Sequence, residues 1–409
     1  MGSAETVGMR SERLDRIEPV MQDFVDTKGI RGIHTLVSRR GELVHAASVG
    51  HRDAEAGAAM AADTIFRIYS MTKPVVSTAL MVLFEEGRFL LEDPVAKYLP
   101  AFGACEVLGA DGSLTPQARP MTVRDLLMHT SGLTYDFHVD NPAAQHYRDA
   151  RIMNDAGRSL ADCVDAIAAQ PLAFQPGERW HYSVGIDVAG RLVELLADQP
   201  LGDFLAERFF EPLAMPDTGF GVAEADRGRL AAMYGLPDLI GEGYHGGKLL
   251  EAALAGFNER IDVDATYPVD TPETFQRGGV GLFSTGADYL RFARMLANGG
   301  ELDGARVIGP KTLELMHANA LPDSMLPYEI IGREAPGFGF GLGSRVMVDV
   351  AQNAGPGSVG EFGWAGAAKT YFWVDPAEQL VGVLMTQYMT GIEQPERVFR
   401  NLVYAAIAS

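Results

Sequence analysis

Apolar residues fall at helical spacing near the start of the chain. Leu14, Ile17, Met21 and Phe24 share one face, which predicts an amphipathic helix over 11–28 with an irregularity at Pro19. Residues 33–38 and 43–49 are strand-like and flank Arg39-Arg40-Gly41-Glu42, a β-hairpin pattern. The run from Val75 to Phe84 is continuously apolar. Pro74 suits the first turn of a helix there, where a missing N–H costs nothing, and Gly87 suits its C-terminal cap.

From Leu91 to about Phe275 the pattern is helices and long loops. A short helix over 122–129 has Thr122 and Asp125 at the N-cap and third positions, and 159–169, 187–197 and 201–210 read as helices. Residues 221–272 are rich in Gly, Asp and Pro with weak periodicity, and loops that long shape a binding site or a lid. Strand patterns return beyond Gly278, at 340–348, 370–374 and 380–387, with helices at 288–298 and 393–407. Strands at both ends with helices between them predict an α/β (α+β) architecture. One mixed sheet is expected from residues 1–90 and 276–409, with a helical domain, 91–275, inserted.

Composition narrows the function classes. Hydrophobic residues make up 47% and charged residues 22% of the 409, which is globular and long enough for two lobes. A formal net charge of −20 argues against a nucleic-acid or anionic-membrane partner, because both need concentrated Lys and Arg. The two cysteines, Cys105 and Cys163, are too few for a disulfide framework and read as small buried hydrophobes. Residues 1–10 lack the apolar core of a secretory signal, and no apolar run is long enough to span a bilayer. A cytoplasmic, reduced protein is expected. No metal-ligating pattern occurs among the nine histidines, and no cofactor is expected.

Candidate chemistry centres on Ser70-Met71-Thr72-Lys73, the only Ser-x-x-Lys in the chain. Residues three apart share a helix face, so the Ser70 hydroxyl and Lys73 amine point into the same space. A serine hydroxyl is a poor nucleophile until a neighbour takes its proton, and a lysine can be that neighbour. Two further segments join it. Tyr182 lies in Trp180-His181-Tyr182-Ser183-Val184-Gly185, on a loop before a helix, and Gly363-Trp364-Ala365-Gly366-Ala367-Ala368 is rich in small residues before a strand. No Gly-x-Ser-x-Gly is present, which removes the nucleophile-elbow signature. Gly337-Phe338-Gly339-Phe340-Gly341 enters a strand rather than opening a helix, unlike a dinucleotide loop.

Taken with Leu126-Leu127-Met128-His129-Thr130-Ser131-Gly132-Leu133, Gly279-Val280-Gly281-Leu282-Phe283-Ser284-Thr285 and Tyr371-Phe372-Trp373-Val374-Asp375-Pro376, these motifs resemble the serine hydrolases of the β-lactamase and penicillin-binding protein superfamily. Within it the chain is most similar to the family VIII carboxylesterases and their class C β-lactamase-like relatives. The resemblance implies a β-lactamase/transpeptidase-like fold, with an antiparallel sheet flanked by helices. It implies that Ser70 attacks an acyl carbonyl, that Lys73 holds or accepts its proton, and that Tyr182 relays the proton to the leaving group. A phenol serves there only beside positive charge, which Lys73 supplies. The backbone N–H groups of Ser70 and Ala367 form the implied oxyanion hole, and Trp364, Gly366 and Tyr135 are the expected substrate contacts.

The chain departs from the lactamase pattern in two places. Val184 ends the Tyr-x-Asn element, and Trp364 stands where Lys-Thr-Gly begins. An apolar Trp364 suits an uncharged ester, so a serine carboxylesterase for short-chain acyl esters is expected, with weak β-lactam hydrolysis alongside. An acyltransferase, a β-lactamase or D-amino-acid peptidase, and a non-catalytic penicillin-binding-like sensor are the alternatives. Lys369-Thr370-Tyr371 competes for the third motif but reads as surface strand, and His129 and His181 read as structural. Phe137, Tyr244 and Leu326 are candidate linings of an acyl pocket.

Overall fold

A computed structural model of the chain describes residues 2–138, 140–235, 258–270, 273–389 and 393–408. Its centre is an eight-stranded sheet in the spatial order Phe338–Phe340, Arg345–Met347, Phe362–Ala365, Tyr371–Asp375, Leu380–Thr386, Gly32–Arg39, Glu42–Asp53 and Ala58–Ala59. Every neighbouring pair is antiparallel, so the sheet is not mixed as the pattern suggested. The strand from Gly32 pairs with that from Leu380, which is where the two ends of the chain meet.

Side-chain alternation decides what covers each face. Ile33, Val37, Trp373, Leu380 and Leu384 point to one side and pack on helices Ile17–Lys28 and Pro395–Ala405. Leu36, Phe372, Val374, Val383 and Met385 point to the other, against helix Gly286–Ala297. The central strands are therefore apolar on both faces. The helices from the chain's middle third, including Gly185–Ala197, pack on helix Thr72–Glu85 in the largest apolar cluster.

Local signals explain the element boundaries. Arg40 and Gly41 at φ 50° and 84° form the tight turn of the first hairpin. Thr122 accepts the Asp125 N–H and Asp125 accepts the Thr122 N–H, a reciprocal cap. The first helix is split into Ser11–Leu14 and Ile17–Lys28, because Pro19 has no N–H for the Asp15 carbonyl and its ring crowds that carbonyl. The expected strand over 340–348 is two short strands joined by a turn closed by the Gly341 N–H on the Ser344 carbonyl.

The stretch expected as loop, 221–272, contributes strands Met233–Gly235 and Glu259–Ile261 to a small sheet with Tyr388–Met389. Residues 236–257, 271 and 272, and with them the candidate Tyr244, lie outside the described residues. Among the described residues no helix is long and apolar enough to cross a membrane. Cys105 and Cys163 are buried, and burial pushes both thiols up to about 11.

Candidate active site

Ser70 sits in a tight turn, Tyr69–Met71, leading into helix Thr72–Glu85. Tyr69 just before it has φ 45°, a left-handed conformation that an aromatic residue adopts only when its surroundings impose it. Those surroundings are the pairing of Ile65–Arg67 with Phe283–Thr285 and the bonds tying Ile68 and Thr72 to Leu282. Segment 279–285 thus runs alongside the Ser70 turn.

Lys73 follows one helical turn later and is 1% exposed. Its Nζ donates to Ser70 Oγ at 3.2 Å, to the Tyr135 hydroxyl at 2.8 Å and to the Gly279 carbonyl at 2.8 Å. All three ammonium hydrogens are therefore engaged. Tyr182, on the loop before helix Gly185–Ala197, donates from its hydroxyl to Ser70 Oγ at 2.6 Å. The Lys73 Nζ lies 4.7 Å from the Tyr182 ring centre and 5.2 Å from that of Tyr135. Ser70, Lys73 and Tyr182 thus converge in one place, as the sequence analysis expects.

Tyr135 and Asp187 hold more than the sequence suggested. Tyr135 stands at the cleft wall as expected, but its hydroxyl also anchors Lys73. Burial, then the neighbouring Tyr182 and Asp187, drive its titration well above the ordinary phenol range, so it stays a neutral hydroxyl. Asp187, the third residue of its helix, is fully buried and accepts the Gly279 N–H at 3.0 Å. Burial raises its carboxyl, and the Lys73 charge opposes that rise. The Gly279 residue thus links the two charges, its N–H to Asp187 and its carbonyl to Lys73. The sequence places Gly279 in a motif and position 187 at a helix start without giving either this role; no local pattern marks a carbonyl 206 positions away from its lysine.

The wall opposite is the strand Phe362–Ala365 and the turn after it. Gly366 must lack a side chain, because a Cβ there would stand 2.5 Å from the Ile68 carbonyl and collide with the Thr370 hydroxyl. That close approach brings the turn to the Ser70 segment. The N–H groups of Ser70 and Ala367 carry no backbone partner among the described residues, so both are available to a ligand oxygen.

Between these walls lies a cleft of about 340 Å³, lined by Ser70, Tyr135, Tyr182, Trp364, Gly366 and Ala367 among others. Trp364 is 5% exposed and packs on Tyr182 and Phe340, so it serves both core and cleft wall. Phe137 lines the cleft, stacked on Tyr135 at 4.7 Å between ring centres, whereas Leu326 does not reach it and Ile330 and Ile331 do. Met153, Tyr267 and Val280 line it from separate segments and were given no binding role from the sequence, since an apolar lining residue looks like any core residue there; Arg345 lines it as well.

Lys369 is a correction. It is a half-buried turn residue at φ 61°, not a surface strand residue, and its Nζ donates to the Glu393 carbonyl at 2.6 Å, away from the cleft lining. The histidines are structural as expected: His181 shares a 2.8 Å bond with Thr134, and His129 a 3.2 Å bond with Ser183. Burial lowers both rings, His181 to about 3, so neither is charged near neutral pH. Among the described residues no three His, Cys, Asp or Glu side chains cluster as metal ligands.

The profile of the β-lactamase family matches residues 17–406. The chain belongs to the β-lactamase family. It is a serine hydrolase of that superfamily and has its transpeptidase-like fold. It is 36% identical over 386 residues to protein Rv1367c of Mycobacterium tuberculosis, covering 92% of this chain and 90% of the other. It is 31% identical over 402 residues to esterase EstB of Burkholderia gladioli, covering 95% of each. Its structure resembles that of EstCE1, described as a hydrolase with promiscuous acyltransferase activity, with a TM-score of 0.79 and 26% identity, over 96% of this chain and 99% of the other. These likenesses place this member of the β-lactamase family beside the family VIII carboxylesterases.

Proposed function

We propose that this β-lactamase-family chain is a serine carboxylesterase acting on small acyl esters through a Ser70 acyl-enzyme. The reading rests on one observation. The Ser70 Oγ lies within 2.6 Å of the Tyr182 hydroxyl and 3.2 Å of Lys73 Nζ, on the wall of a largely apolar cleft.

The Lys73 Nζ points all its hydrogens at acceptors, and the Gly279 carbonyl among them can do nothing but accept. Lys73 therefore acts as a fixed positive charge that stabilises negative charge developing on the Tyr182 and Ser70 oxygens. In the first half-reaction Ser70 Oγ bonds to the acyl carbon as its proton passes to Tyr182, acting as a phenolate beside the Lys73 charge, and the Ser70 and Ala367 N–H groups receive the oxyanion. The bond from the acyl carbon to the alcohol oxygen then breaks, and the departing alkoxide takes the proton from Tyr182. Water attacks the acyl-enzyme in the second half-reaction, with Tyr182 moving the proton back. Trp364 and the aromatic walls offer dispersion and apolar burial where a β-lactam needs polar partners, which supports esters over lactams. The cleft volume falls at the lower end of ligand sites, roughly 300–1,000 Å³, and supports a short acyl chain.

The test is a burst of p-nitrophenol from p-nitrophenyl butyrate, equal in amount to the enzyme, and a matching acyl mass on the Ser70 peptide. Ser70→Ala abolishes both if the proposal holds, and a burst that survives the substitution refutes it. A second reading, acyl transfer to an alcohol, is supported by the apolar lining of the cleft and by the description of EstCE1. Ester exchange in the presence of a competing alcohol, measured against hydrolysis, separates the two.

A further inference from the structure

Two charged side chains line the cleft beyond Lys73's surroundings, Asp136 and Arg345, and they differ in how they are partnered. Arg345 donates to the Tyr371 hydroxyl at 2.6 Å and lies over the Phe338 and Tyr371 rings. Asp136 is 9% exposed, and among the described residues no lysine, arginine or histidine forms an ion pair with its carboxylate. Arg148 bonds instead to the Asp136 backbone carbonyl and to Gln145, so its charge reaches the carboxylate only at longer range.

A carboxylate buried among apolar walls without a cation is costly unless a ligand supplies one. Asp136 lies between Tyr135 and Phe137 in the chain, and these two aromatic rings, stacked on each other, line the same cleft. An anionic oxygen beside aromatic faces is the chemistry that holds an ammonium group. The formal net charge of −20 adds a field that draws cations toward the molecule.

We infer that Asp136 forms a cation subsite in this cleft and that the preferred substrates carry an ammonium group, as esters of amino acids or amino alcohols do. The inference rests on the carboxylesterase reading, and it deepens that reading by naming a substrate class.

The whole chain is titrated with benzylammonium and, separately, with benzyl alcohol at pH 8, by calorimetry. The cation is expected to bind at least about tenfold more tightly, ~1.4 kcal/mol. In Asp136→Asn the two affinities converge, and in Asp136→Glu the preference persists. Equal affinities in the unaltered chain, or no saturable binding of benzylammonium, overturn the subsite, and that comparison needs no variant to fold. Turnover of butyrylcholine against 3,3-dimethylbutyl butyrate, its uncharged counterpart, completes the test. Selective cation binding with both esters inert supports the subsite and refutes the esterase reading. Equal turnover of both with equal binding refutes the subsite and leaves the esterase reading standing.

Discussion

Tyr135 separates a catalytic architecture from a mere pocket lining. Its hydroxyl accepts one of three hydrogen bonds from Lys73 Nζ, at 2.8 Å, and Lys73 is 1% exposed. Tyr135→Phe keeps the ring that lines the cleft and stacks on Phe137 but removes that acceptor. A hydrogen bond to a charged group is worth about 1.5–3 kcal/mol. The lysine then keeps only Ser70 Oγ and the Gly279 carbonyl as acceptors, and its charge is no longer fixed in place beside Ser70 and Tyr182. At about 1.4 kcal/mol per decade of rate, kcat falls roughly 10–100-fold while KM stays near the unaltered value. The assay is steady-state hydrolysis of p-nitrophenyl acetate, butyrate and hexanoate. A lining role alone predicts kcat and KM both unaltered across the series, because the ring that lines the cleft is kept. Unaltered kcat across the series refutes the anchoring argument.

Other expectations follow from particular contacts. Gly366→Ala forces a Cβ against the Ile68 carbonyl and the Thr370 hydroxyl, shifting the Ala367 N–H; loss of one oxyanion donor costs about 100–1,000-fold in kcat, read by the same assay. Burial raises the Asp136 carboxyl from an ordinary 3.8 to about 6 in the folded chain, so the folded state holds a proton that the unfolded chain releases. That residue therefore destabilises the fold above about pH 6, and the penalty fades as the pH falls toward 4. Asp136→Asn should thus add stability at pH 8, up to about 3 kcal/mol, with no gain at pH 4, by urea denaturation. Trp373 is wholly buried between the sheet and Phe399, so Trp373→Ala costs about 3–5 kcal/mol in the same denaturation without touching the cleft lining.

What could be read from the residues alone was what depends on near neighbours in the chain. Ser70 and Lys73 stand three apart on one helical turn, so their meeting follows from helix geometry. The Thr122–Asp125 cap, the turn at Arg40-Gly41 and the break before Pro19 are likewise set by a few consecutive residues. The short apolar run along Leu380–Thr386 marked a strand, yet it did not reveal which strands it joins, because hydrogen-bonding edges are alike in every strand.

Tertiary structure decided the rest. Tyr135 and the Gly279 carbonyl reach Lys73 across 62 and 206 positions, and Asp136 becomes part of the lining of an apolar cleft only once loops from five or more regions close around it. Such contacts carry no periodicity and no spacing rule. They exist because the burial of distant apolar faces brings their backbones together, and the free energy that does so is spread over the whole core rather than written at the site.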